Sequence, residues 1–330
     1  MTLPRALYTV SAMPKKPQLL LLLLLAAGLV LSGCSLRKLA VGAIADSLAG
    51  GGGTFASDDD PELVGQALPF ALKTVESLLE ADPGNAKLLL FACQGFTQYG
   101  FAYVEVPAAE LATRDYRAAE VQRQRALRLY LRARGYCLRA LDATFEGSST
   151  RLLQDAAAAL APASKKDVPL LFWTASSWGA AIAVGSDRPE LVVDWPVARA
   201  LLEKALALDP DWNRGSLHEA MVLVEGLPAA MGGSEERAWQ HWQKALELSH
   251  GERASTYVTW ASTLSLRKQD RVEFLDLLDK ALAIDADRVP AERLANLLQQ
   301  RRARHLLSRV DELFLNLTDP EDSPAPAGGN

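Results

Sequence analysis

The residues whose types could do chemistry are scattered in this sequence, and most of them lack partners at the spacing chemistry needs. His218 and Glu219 stand side by side, which suggests zinc, but a metalloprotease helix requires a second histidine one turn later, and position 222 is Val. The other histidines, His241, His250 and His305, fall at unrelated positions, so no metal site is expected and His218 reads as a partly buried or capping side chain. No Gly-x-Ser-x-Gly turn presents a nucleophile. Glu235 and Glu236 follow Ser234, where acidic side chains suit the positive end of a helix better than acid–base catalysis. Gly232-Gly233 reads as a turn. The run Gly50 to Gly53 has no preceding strand and no Gly-Lys-Ser/Thr, so it is no phosphate loop. The expectation is a protein with no catalytic residues and no cofactor.

Aromatic residues offer more. Trp173 and Trp178 flank Thr174, Ala175, Ser176 and Ser177, and Gly179, Ala180 and Ala181 follow. Small residues beside large rings can form a slot for an apolar chain. They equally admit a neighbouring helix while the tryptophans fill core, the commoner use of such rings. Tyr99, Phe101 and Tyr103 are spaced by two, which on a helix spreads the rings over both sides and turns some toward a cavity, a partner or the core. These five are the candidate ligand-binding residues. Arg301, Arg302 and Arg304 give the last helix a basic face that reads as solvated surface, with a partner interface as the alternative.

Cys34 carries a different chemistry. Arg5, Lys15 and Lys16 precede an apolar run, Leu19 to Leu31, which ends in Leu31-Ser32-Gly33-Cys34. A basic start, a short apolar stretch and small residues before a cut describe a secretory signal. The run is shorter than the ~20 residues that span a bilayer. The motif resembles the lipobox of bacterial lipoproteins, which implies cleavage before Cys34, lipidation of Cys34 and stable attachment by several acyl chains. Ser35, rather than Asp, next to the cysteine points to the periplasmic face of the outer membrane over the inner. Removing three positive charges from a chain of net charge −5 leaves −8 in the mature protein. That balance argues against nucleic acid, whose affinity rests on Lys and Arg.

An exported compartment permits a disulfide between Cys93 and Cys137. On an antiparallel pair, Cys93 falls about eleven residues before its helix ends and Cys137 about twenty after the next begins, roughly 15 Å out of register. A bridge needs Cα atoms within about 7 Å, so two small buried thiols are expected.

These residues must be positioned by helices. Long stretches lack Gly and Pro and repeat apolar residues at three and four, as in Ala198, Leu201, Leu202, Ala205 and Leu206, and alternating strands are not evident. Related segments begin at Lys204 (KALALDPDWN), Lys244 (KALELSHGER) and Lys280 (KALAIDADRV), with an earlier relative at Ser77 to Asn85 (SLLEADPGN). Each closes one helix, turns and opens another, which resembles the tetratricopeptide helix pair. The expected fold is all-α, a tetratricopeptide-like solenoid of stacked antiparallel helix pairs with a concave inner face. The expected division is a signal peptide over 1–33, a lipidated N-terminus and Gly-rich linker over 34–57, a helical domain over 58–316 and a disordered tail over 317–330 rich in Pro, Gly and acid.

DVPLLFWTASSWGAAI (167–182), MGGSEERAWQHWQKALELS (231–249), QDRVEFLDLLDKALAID (269–285) and RLANLLQQRRARHLL (293–307) resemble the T component associated with tripartite ATP-independent periplasmic (TRAP) transporters. The lipobox and a first repeat over 70–103 agree in position. The resemblance implies a helical periplasmic lipoprotein that assembles, often as a trimer, with the solute-receptor protein of the transporter. It also implies a hydrophobic channel for an apolar small molecule or lipid. An envelope scaffold with no small ligand is the second reading, and a lipid-directed hydrolase the third.

Overall fold

The computed structural model describes residues 41–42 and 52–314. The Cys34 motif and the tail from Thr318 lie outside the described residues. Helix formation follows local signals. Side chains of Asp60, Asn85, Asp115, Ser234 and Asp270 each accept a hydrogen bond from the backbone N–H three residues on, satisfying a donor that the first helical turn leaves open. The principal helices are α1 (Pro61–Ala81), α2 (Ala86–Gly100), α3 (Tyr116–Thr144), α4 (Val168–Val184), α5 (Trp195–Leu208), α6 (Trp212–Glu225), α7 (Glu235–Ser249), α8 (Ala254–Trp260), α9 (Arg271–Leu282) and α10 (Arg293–Ser308). The protein is all-α, and no strand occurs among the described residues.

Neighbours in sequence are neighbours in space: α1 packs on α2, α2 on α3, α3 on α4, α4 on α5, α6 on α7, α8 on α9 and α9 on α10. The four related segments end α1, α5, α7 and α9, and each turn leads into the next helix. Ala205, Ala245 and Ala281 are fully buried or nearly so, as close crossings require. At Gly215 (φ 91°) a Cβ would stand 3.1 Å from the Ala245 Cα, so a side chain there would push α6 off α7. The last helix then meets the first elements. Arg293 Nη1 donates to the Ser57 carbonyl at 2.9 Å, and Arg301 reaches Glu62 at 3.3 Å and Glu110 at 3.4 Å. The last principal helix is thus tied to the first elements of the described residues.

Two expectations change. The stretch expected as linker contains a short helix, Gly52–Ala56, which packs on α10. Cys93 and Cys137 are joined in a disulfide, with Cα atoms 5.1 Å apart. The register estimate failed because α2 does not stop near residue 104. It continues through a π-helical segment, Phe101–Glu105, into Val106–Leu111. Cys93 thus lies 18 residues before the turn and Cys137 lies 21 after Tyr116, which brings them level across the α2–α3 pair.

Candidate functional site

A cavity of about 550 Å³ lies inside the helical array, within the ~300–1,000 Å³ range of small-molecule sites. Its wall is built from α2 with its π-helical continuation, α4, α6, the start of α8 and α10, together with Phe55. Every second principal helix thus faces inward. Much of the lining is aromatic and aliphatic: Phe101, Tyr103, Phe172 and Trp173, with Leu223, Leu294 and Leu298. The Phe172 and Trp173 rings meet edge-on with centroids 5.0 Å apart, and Trp212 closes on Phe172 at 4.8 Å from behind.

The five sequence candidates divide. Phe101, Tyr103 and Trp173 line the cavity. Tyr99 does not; it stacks on Tyr103 at 5.7 Å and takes a hydrogen bond from Arg125 at 3.3 Å. Trp178 is in the core, its Nε1 donating to Asp194 at 3.2 Å and Arg134 lying over its ring at 5.0 Å. Five positions rotate a side chain about 140° round a helix, so Trp173 and Trp178 cannot share one wall. Tyr103 owes its place to Gly65, where a Cβ would come within 2.6 Å of the ring. Its hydroxyl is buried without a partner, and burial, with the negative Glu62 and Asp58 nearby, pushes its pKa up to about 12.

The cavity lining also carries charge, from Glu219, Arg253, Glu292, Arg301 and Arg302, which the sequence did not announce. Arg302 turns inward from α10, a correction to the basic outer face read from 301, 302 and 304; Arg301 and Arg304 do remain exposed. Both π segments hold Arg302. The Phe101 ring lies 5.7 Å from its guanidinium, and the Ser262 hydroxyl of the second segment, Ala261–Ser265, takes a bond from Nη2 at 3.3 Å. Such segments are often found at functional sites. Burial pushes the Arg302 pKa down, opposed by Glu105, Glu219 and Tyr130 at longer range. Glu219 is itself pushed up by burial, with Arg253 and the hydroxyls of Ser255 (2.9 Å) and Thr256 (3.2 Å) acting the other way. Arg253 is saturated: it bonds Glu292 at 2.5 and 3.3 Å, Ser216 at 2.7 Å and the Asn213 carbonyl at 3.1 Å.

The Asn213 carbonyl comes from an unusual turn. Asn213, Arg214 and Gly215 all have positive φ (47°, 54° and 91°), so the chain is left-handed for three residues before α6 proper. Two non-glycine residues in that region cost of order 1–3 kcal/mol each. The bonds from Arg253 to Asn213 and Ser216, and from Arg214 to Ser249 and Glu252, hold the turn in place. His218, one position from Glu219, pairs Nδ1 to Nδ1 with His241 at 2.9 Å. Among the described residues no three His, Cys, Asp or Glu gather around a common point.

Helices that alternate in facing an aromatic and charged hollow define an all-α cavity protein. Residues 57–314 match the TRAP transporter T-component family, and the chain belongs to that family. A Treponema pallidum (strain Nichols) protein described as an uncharacterized protein is 29% identical over 313 residues, covering 88% of this chain and 96% of that one. The family places the protein as an accessory component of TRAP-type transport. No helix among the described residues is long and apolar enough to cross a membrane.

Proposed function

We propose that the protein is lipid-anchored through Cys34 on the periplasmic face of a membrane, preferably the outer one. There it docks the solute-receptor protein of a TRAP system and holds an apolar small molecule or lipid in its central cavity. It assembles with the receptor as a trimer and performs no catalysis. The observation that carries the ligand part is the aromatic wall of Phe101, Phe172 and Trp173 facing a cavity of about 550 Å³. Such a surface is stabilised by an apolar body that displaces water from it.

Native mass spectrometry of protein purified without detergent tests the ligand part: a retained apolar molecule is expected, and Trp173→Ala should lower its occupancy. Repeatedly empty protein would favour the scaffold reading. Pull-down with a TRAP solute-receptor protein, followed by mass photometry, tests docking and the trimer. Labelling with radioactive palmitate, lost in Cys34→Ser, tests the anchor.

A further inference from the structure

The charged lining of the cavity narrows the chemistry of what it holds. Three lining arginines have different partners. Arg253 is occupied by Glu292, and Arg301 spans Glu62 and Glu110. Arg302 has a neutral hydroxyl and a ring, but no carboxylate in ion-pair range among the described residues. A guanidinium has five N–H donors in a planar fork. Among the described residues Arg302 makes one hydrogen bond, to Ser262, and the residue opens onto the cavity. A buried cation without a partner is costly, and truncating or pairing it has large consequences. Two further polar atoms on residues that line the cavity, Tyr103 Oη and Gln299 Oε1, are buried and have no partner among the described residues.

We propose that the cavity binds a monocarboxylate with an apolar body, the carboxylate paired with Arg302 and the body lying along Phe101, Phe172 and Trp173. This rests on the reading of the cavity as a ligand site and adds the head group to it. The fork of Arg302 matches the two oxygens of a carboxylate. Glu105 and Glu219 also act on Arg302 from longer range, so each additional negative charge on a ligand would be disfavoured, and a monocarboxylate is preferred to a dicarboxylate. A neutral apolar molecule of the same length would fill the aromatic wall and leave the guanidinium unpaired.

Titration calorimetry on the full chain, stripped of bound amphiphiles, tests this with dodecanoate, dodecan-1-ol and 4-phenylbutanoate below their aggregation concentrations. Dodecanoate is expected to bind at least about tenfold more tightly than dodecan-1-ol, the factor a charge-assisted pair supplies. Arg302→Met should bring acid and alcohol within about twofold, and Arg302→Lys should retain part of the difference. Equal binding of acid and alcohol to the native protein overturns the carboxylate site while leaving an apolar cavity. Binding of neither overturns both readings. Comparable binding of 4-phenylbutanoate supports the head-group site and assigns it to aryl acids as well as fatty acids; its failure beside tight dodecanoate supports the site and restricts it to chains. Should Arg302→Met fail to fold, the acid–alcohol ratio of the native protein decides.

Discussion

Two glutamates on α6, six residues apart, meet opposite fates. Glu225 is buried and saturated: Arg199 of α5 reaches it at 2.7 Å, and Arg237 of α7 at 2.6 and 2.9 Å. Its carboxylate fastens three successive helices. Glu219 is half-buried and, among the described residues, accepts only from hydroxyls; it lines the same cavity as Arg302, which has no carboxylate in ion-pair range there. Full pairing marks a group whose work is done within the fold. Incomplete pairing beside a hollow marks groups whose electrostatic balance is left for something that enters.

The largest effect that would sharpen this contrast is behind the aromatic wall. The disulfide closes a sequence separation of 44, and replacing both Cys93 and Cys137 with Ala should cost about 4 kcal/mol by chain entropy. Urea denaturation reads that loss, and a loss under about 1 kcal/mol would mean that packing alone holds α2 on α3. Glu225→Ala comes next. It strands two guanidinium groups that are partly solvated, so the loss should lie near the lower end of the range for breaking a buried pair, about 3 kcal/mol. Glu219→Gln should differ in sign. Burial raises the Glu219 pKa, so the ionised group disfavours the folded state at neutral pH, and its neutral replacement should leave stability unchanged or increased. If both glutamate variants lose equally, the two sites are not of different kinds.

The smallest effect is a pH slope. Burial, followed by the neighbouring His241, lowers the His218 pKa from 6.5 to about 4. Between those values the unfolded chain binds the extra proton, so the contribution of His218 is complete above about pH 6.5 and is lost as the pH falls toward 4. His218→Gln should flatten the fall in melting temperature over that window. An unchanged slope would assign acid sensitivity to other groups.

Of the candidate cavity residues, Phe101, Tyr103 and Trp173 were legible because rings at unusual spacing beside small residues are a local pattern. Tyr99 and Trp178 carry the same pattern and face elsewhere, because rotation about a helix is decided by packing and not by residue type. Arg302 was hidden among Arg301 and Arg304, which are both exposed, Arg301 at the edge of the cavity lining. Phe172 had no signal apart from being next to Trp173. The disulfide was misjudged for want of one fact, that the helix passes through Phe101–Glu105 without ending.

The chain's own sequence determined the helices and where they begin: Asp60, Asn85, Asp115, Ser234 and Asp270 cap them through bonds only three residues long. It determined the inward stripes and the alanine crossings as well, since these repeat with the period of a helix. Tertiary structure alone decided that the array returns on itself, with Arg301 meeting Glu62 across 239 positions of sequence. It also decided that the cavity is lined by a cation with no carboxylate in ion-pair range among the described residues. No local stretch of sequence records which side chains the packing of distant helices brings face to face.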